Sequence, residues 1–155
     1  MDSILSGLVM VNNTDIWISY GAFLMEDRKG GLDNISAILT PSRTKEHTAV
    51  NIREENGEKH SSSLVVANEP RDVVLHFAIY ATTKAQWMQR YTAFVRFLKT
   101  GADGWLSFNF PSLGLTMRMY YVEIQDKFKP LTYLWKEGVH AGHFRIKFRE
   151  PDPII

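Results

Sequence analysis

Two histidines, His140 and His143, have the spacing that comes nearest to a metal-ligand pair in this sequence. Histidines that share a metal on a helix usually lie four residues apart, and a complete zinc site needs a third and a fourth ligand. Here Gly142 favours a turn, and no carboxylates cluster beside the pair. We therefore interpret the two histidines as surface residues that flank a turn, and we expect no bound metal.

Motifs for nucleophilic catalysis and phosphate binding are missing. No Gly-x-Ser-x-Gly elbow surrounds Ser107 or Ser112, and the glycine-containing stretch 101–104 lacks the Lys-Ser/Thr of a phosphate loop. The chain has no cysteine, so thiolate chemistry, disulfides and Cys-ligated zinc are excluded. His76 lies among apolar residues, which is more typical of a core or interface histidine than of a general base. We expect no catalytic activity and no cofactor.

A pattern of alternating charge lies near the C-terminus. Arg145, Lys147 and Arg149 alternate with apolar residues, which predicts a half-buried strand with its charges on one face. A nucleic-acid-binding stripe would need interleaved aromatic side chains on that same face, and the aromatic residues of this strand point the other way. We therefore expect the three charges to face a channel or a partner subunit.

Length and composition predict one folded domain over residues 1–155. Hydrophobic residues make up 45% of the chain, and nine Phe, six Tyr and four Trp are too many for a disordered protein. The net charge is +1, without the basic excess of a protein that depends on phosphate contacts. Asp2 stands where a secretion signal would be basic, and the first apolar run is too short to span a membrane. We expect a protein made in the cytosol, with no membrane contact.

One segment has the pattern of an amphipathic helix, at about residues 83–100. Trp87, Tyr91, Phe94 and Leu98 recur at helical spacing and would share one face. Thr83 and the residue three positions later have capping-box spacing, and Gly101 stands where a left-handed terminating residue is wanted. The sequence therefore predicts a single principal helix that packs on a sheet.

Most other segments have the period of two that is typical of β-strands. The clearest strands are predicted at residues 73–80, 105–110, 115–122 and 143–149. Shorter strands are predicted at residues 15–20, 48–52 and 63–66, and the Asn56-Gly57 pair favours a hairpin between the last two. With the helix, these strands give an α+β fold.

Two segments carry apolar residues without a regular period. Residues 28–44 include Ile35 and Leu39, and either a short helix or a loop across a neighbouring subunit fits them. Residues 127–136 include Leu134 and Trp135. Apolar surface outside regular elements is expected of segments that become ordered against another subunit. We therefore predict that these four residues are subunit contacts.

The order of these parts resembles the N-terminal domain of phage distal tail proteins, and the related tail-tube fold of contractile tails and type VI secretion tubes. The resemblance covers roughly residues 14–149. The features that carry it are Asp15-Ile16-Trp17, Tyr20-Gly21-Ala22-Phe23-Leu24, the Asn56-Gly57 hairpin, the strand at 71–80 and the helix with Trp87, Tyr91, Phe94, Phe97 and Leu98.

That resemblance implies an antiparallel β-sandwich or partial barrel with one flanking helix. It also implies a structural role in a phage-type tail, in the virion or in the bacterial cytoplasm during assembly or as a prophage product. The subunits would form a ring, usually a hexamer, around a channel for DNA or the tape-measure protein, and would contact other tail proteins. A galectin-like second domain often follows in the family, and we expect none in a chain of 155 residues.

Two other classes of protein stay open. A small-molecule-binding β-barrel would use its aromatic residues to line a cavity, and it predicts a monomer with a large internal pocket. An enzyme of unrecognised type would need a cleft that contains titratable residues with perturbed pKa values.

Overall fold

The computed structural model of the protein describes residues 6–25, 32–125 and 140–155. Their elements in chain order are β1 (Met10–Val11), β2 (Thr14–Asp15), α1 (Ile16–Tyr20), β3 (Ala22–Leu24), α2 (Asp33–Leu39), β4 (Arg71–Ala81), α3 (Lys84–Thr100), β5 (Leu106–Phe110), a 3-10 turn (Pro111–Leu113), β6 (Leu115–Gln125) and β7 (His140–Glu150). The predicted α+β class is confirmed.

The strands form one antiparallel sheet in the order β2-β1-β5-β6-β7-β4-β3. The sheet curls into a half-barrel, in agreement with the partial barrel that the resemblance implied. Its two edge strands, β2 and β3, are adjacent in sequence and are joined by the short helix α1. The gap between these two edges of the sheet, which we call the seam, is therefore bridged by α1.

The core lies between the inner face of the sheet and α3. Trp87, Phe94 and Leu98 of α3 are fully buried, as their spacing predicts. The Phe94 ring lies 5.4 Å from that of Phe77 on β4, and the Trp87 indole N–H donates to the Ile79 carbonyl at 2.9 Å. Burial of each large side chain contributes about 1.5–3 kcal/mol before entropy costs, so this helix face holds much of the fold together.

The ends of α3 follow the predicted capping signals with two differences. The Thr83 hydroxyl accepts from the Gln86 N–H at 3.1 Å, but the Gln86 side chain accepts from the N–H of Thr82 and not from that of Thr83. Gly101 has a φ of 50° and a ψ of −150°, so its φ is positive but it is not left-handed helical. A Cβ at this position would collide with the Trp105 carbonyl, which leaves glycine as the residue that fits.

The strand predicted at residues 15–20 is wrong, because most of this segment forms α1. The Asp15 carboxylate accepts from the Trp17 N–H at 3.0 Å, and Gly21 ends the helix at a φ of 64°. Local capping therefore overrides the β-propensity of the two isoleucines.

The regular hairpin predicted around Asn56-Gly57 is also wrong. Residues 44–68, which we name the arm, are held by the isolated bridges Thr44↔Asn68 and Val50↔Lys59, and neither 48–52 nor 63–66 forms a strand. Residues 48–67 are exposed, so their β-branched side chains have no apolar face on which to pack.

The segment at residues 28–44 contains the helix α2. This helix packs against β4, beside the part of the strand that extends beyond its pairing with β3. The Asn34 side-chain carbonyl accepts from the His76 N–H at 2.7 Å, and its amide donates to the carbonyls of Met25 and His76 at 2.9 and 3.3 Å. This amide continues the ladder where β3 ends, so the edge backbone is paired without another strand.

Candidate interaction surfaces

The three predicted cations lie together on the outer face of β7. Phe144, Ile146 and Phe148 are buried in the core, and Arg145, Lys147 and Arg149 project from the other face, where they are half-buried. The predicted alternation is therefore present.

Carboxylates on the neighbouring strands pair with two of these cations. Asp72 on β4 lies 3.0 Å from the Arg149 guanidinium and 3.7 Å from Lys147 Nζ, and Glu123 on β6 lies 4.0 Å from Lys147 Nζ. Each of these side chains is between 28% and 60% exposed. Pairs as exposed as these stabilise a fold by about 0–1 kcal/mol. A charged ligand can therefore replace one partner of such a pair at little cost in stability.

The same face carries aromatic side chains that the sequence pattern of β7 did not reveal. Tyr120 on β6 is the direct cross-strand neighbour of Arg149 and is 38% exposed. The Arg118 guanidinium lies 3.9 Å from the centre of the Trp105 ring, which meets the Tyr120 ring edge-on at 5.7 Å. The prediction that the aromatic residues of β7 point away from its charges is confirmed, because Phe144 and Phe148 are buried. The aromatic residues on the charged face come from other parts of the sequence.

A depression of about 400 Å³ lies beside these aromatic rings. Lys99, Asp103, Gly104, Trp105, Tyr120 and Tyr121 line it. Burial, and to a lesser degree the Glu123 carboxylate, raise the pKa of the Tyr121 phenol above its ordinary value. Its hydroxyl therefore stays protonated at neutral pH and can donate a hydrogen bond.

His76 is 3% exposed, which confirms that it is a core histidine. Its Nε2 atom is hydrogen-bonded to His143 Nδ1 at 2.9 Å. The turn predicted between His140 and His143 is wrong, because both residues belong to β7 and Gly142 pairs with Ile79 inside the sheet. No three His, Asp or Glu side chains within the described ranges are placed to hold a metal ion.

Of the four predicted subunit contacts, two fall within the described residues, and both lie on α2. Leu39 is 59% exposed, and Ile35 is half-buried. Ile35 lines an apolar pocket of about 180 Å³ at the sheet seam, together with side chains that include Val9, Leu24 and Phe110. Leu134 and Trp135 lie outside the described residues.

A further apolar surface lies on the arm. Leu64, Val65 and Val66 are 51%, 83% and 65% exposed, and they follow one another in sequence. Three adjacent aliphatic side chains in solvent are the kind of surface that a partner covers. The sequence predicted a strand here, so its apolar character was visible but its exposure was not.

Among the helices that the described ranges contain, none is long and apolar enough to cross a membrane.

No protein-family model matches this chain, and no curated protein matches its sequence. Among solved structures, the chain is similar to the crystal structure of SPP1 Dit, described as a paradigm of the hub adsorption apparatus in phages that infect Gram-positive bacteria. The match has a TM-score of 0.57 and 14% sequence identity, and it covers 94% of this chain and 50% of the SPP1 Dit chain. This chain thus corresponds to about half the length of that protein. The likeness is one of fold, and it confirms the resemblance to the phage distal tail fold.

Proposed function

We propose that this chain is a non-enzymatic structural subunit of a phage-type tail that assembles with copies of itself into a hexameric ring around a central channel. The observation that carries the proposal is the shared fold with SPP1 Dit over 94% of the chain. The subunit would belong to the virion tail, and to the bacterial cytoplasm during assembly or as a prophage product. Its other partners would be neighbouring tail proteins.

Exposed apolar side chains outside the sheet support self-assembly. Leu39 on α2 and Leu64, Val65 and Val66 on the arm are each more than half exposed. These two surfaces differ from each other, so a contact between them would be head-to-tail and would close into a ring when the rotation closes. Ile35, Leu134 and Trp135 complete the proposed subunit contacts.

The outer face of β7 supports a channel-facing role. Arg145, Lys147 and Arg149 lie on the side of the sheet opposite α3, so their charges do not face the hydrophobic core. A charged wall of this kind keeps a channel wetted and allows passive contact with DNA or the tape-measure protein.

The small-molecule-binding barrel is the weaker alternative. Aromatic side chains of the sheet and of α3 fill the concave side of the half-barrel, with Phe77, Trp87 and Phe108 fully buried. The apolar seam pocket measures about 180 Å³, whereas ligand sites usually measure about 300–1,000 Å³. A pocket of that size fits one or two side chains from another subunit better than it fits a ligand.

Light scattering after size exclusion, over a range of protein concentrations, tests the proposed subunit contacts. We expect the wild-type chain to assemble and Leu39→Ala or Trp135→Ala to raise the concentration needed by roughly tenfold or more, as at buried interface anchors. Met88→Ala is the matched control, because Met88 is 54% exposed on α3 and lies outside the proposed contacts. Equal effects of the Leu39 and Met88 substitutions would contradict the assignment.

A further inference from the structure

The arm carries the single Asn-Gly pair of the chain, Asn56 and Gly57. A bridge between Val50 and Lys59 closes the loop that contains this pair, and each of the two residues donates its N–H to the carbonyl of the other, at 2.9 and 2.7 Å. Residues 48–67 are exposed. The Asn-Gly pair therefore lies at the tip of a closed loop, in contact with water.

The backbone at this tip differs from that of a tight hairpin. An Asn-Gly pair in a type I′ turn has a positive φ at both residues. Asn12 and Asn13, between β1 and β2, have such values, 51° and 64°. At the tip of the arm Gly57 has a φ of 68°, but Asn56 is not in the positive region. Within the described part of the chain, the Gly57 N–H donates to no backbone carbonyl, so hairpin pairing does not hold this nitrogen in place.

The chemistry open to this pair is attack of a backbone nitrogen on the neighbouring side-chain amide. The Gly57 nitrogen gives up its proton and forms a bond to Cγ of Asn56, and the side-chain nitrogen takes up that proton and leaves as ammonia. Water then opens the resulting succinimide ring at either of its carbonyls, which yields aspartate or isoaspartate. The reaction consumes water, releases ammonia, and needs no enzyme, metal or oxidant.

The sequence and the structure together select Asn56 from the seven asparagines of the chain. The attacking nitrogen belongs to the following residue, and glycine presents it without a side chain. Asn51 is exposed like Asn56 but precedes Ile52, whose β-branched side chain crowds the approach. Asn34 and Asn68 also precede residues with side chains, and their amides donate hydrogen bonds to backbone carbonyls. The conditions for ring closure are therefore best met at the tip of the arm.

We propose that Asn56 is a site of spontaneous deamidation, through which the arm acquires a further carboxylate at its tip after the chain has folded. Residues 53–59 hold three glutamates against one arginine and one lysine, a net charge of −1, and the new carboxylate changes it to −2. The isoaspartate product also adds a methylene group to the backbone. The reaction needs only the arm and water. It is therefore independent of ring formation and goes beyond the proposed structural role.

Peptide mapping by mass spectrometry tests the site, after incubation of the folded protein in a mildly alkaline buffer. Trypsin cleaves after Lys45, Arg53 and Lys59, so Asn51 and Asn56 fall in separate peptides, 46–53 and 54–59. We expect peptide 54–59 to convert progressively into an aspartate and an isoaspartate form, which chromatography separates, while peptide 46–53 stays unconverted. Asn51 is thus a matched control in the same molecule, and a sample digested before incubation corrects for conversion during digestion.

Two further samples separate the chemistry from the loop. Gly57→Ala, which places its methyl group where no other atom lies within 4 Å, should convert several-fold more slowly while staying folded in thermal unfolding. A synthetic peptide of residues 50–59 should convert at a rate similar to that of the folded chain. The proposal is overturned if Asn56 stays intact in the folded chain while the synthetic peptide converts, if Gly57→Ala converts as fast as the wild-type chain, or if Asn51 converts as fast as Asn56.

Discussion

The ion pair between Arg71 and Glu150 joins the ends of β4 and β7 at the margin of the core. Arg71 Nε lies 2.6 Å from Glu150 Oε1, and the two side chains are only 10% and 6% exposed. Arg71 also donates to the Thr40 carbonyl, which ties the end of α2 to the sheet. We predict that Arg71→Met lowers the free energy of unfolding by about 3–5 kcal/mol, because it leaves a buried carboxylate without its partner. Urea unfolding measures the loss.

The control for that substitution is the Asp72–Arg149 pair, which is more than one-third exposed on both sides. Arg149→Gln should cost about 0–1 kcal/mol. Replacing both Arg71 and Glu150 with Met should recover most of the loss, since no buried charge then remains. Similar losses for Arg71→Met and Arg149→Gln would contradict the importance of burial.

The Asn34 side chain is a second residue on which the sheet depends, because it pairs the backbone of His76 where β3 ends. We predict that Asn34→Leu lowers the free energy of unfolding by about 1–3 kcal/mol, since it leaves the buried His76 N–H unpaired. Ser36→Ala, at an exposed position of the same helix, should change little. Unchanged thermal unfolding of Asn34→Leu would mean that another group pairs this edge.

At the scale of elements, the Thr83 cap makes a measurable contribution to α3. We predict that Thr83→Ala destabilises the protein by about 1 kcal/mol, because the Gln86 N–H loses its acceptor. Thr92→Ala, at an exposed position within the same helix, should be neutral or slightly stabilising, since alanine has the higher helix propensity. A loss at Thr92 as large as that at Thr83 would show that the cap is unimportant. Thermal unfolding compares the two.

The sequence predicted α3 well because its cap, its apolar stripe and its terminating glycine agree. The five-residue helix α1 was missed although Asp15 and Gly21 bracket it as caps, because two isoleucines and a tryptophan have high β-propensity. Strands were predicted in excess in the arm as well: its valines favour β-structure, yet a β-strand needs a face to bury. Gly142 was read as a turn residue and lies inside β7, since tertiary pairing with β4 overrides local preference.

At the scale of the whole molecule, the sequence predicted the charges on the outer face of β7 but not the aromatic residues beside them. The alternation along β7 predicted that Arg145, Lys147 and Arg149 share one face. Trp105, Arg118 and Tyr120 come from other parts of the sequence and join the cations through the order β5-β6-β7. Sheet order is set by pairing between distant segments, so no local pattern revealed it.

We propose that copies of this chain close into a ring. The most direct test is negative-stain electron microscopy of the purified protein at the highest concentration it tolerates, with symmetry counted in class averages. We predict closed rings of six subunits with a central channel, and their loss in the Leu39→Ala variant but not in Met88→Ala. Uniform monomers, or dimers closed by a two-fold axis, at that concentration would contradict the claim, because an isologous contact leaves no head-to-tail surface to extend.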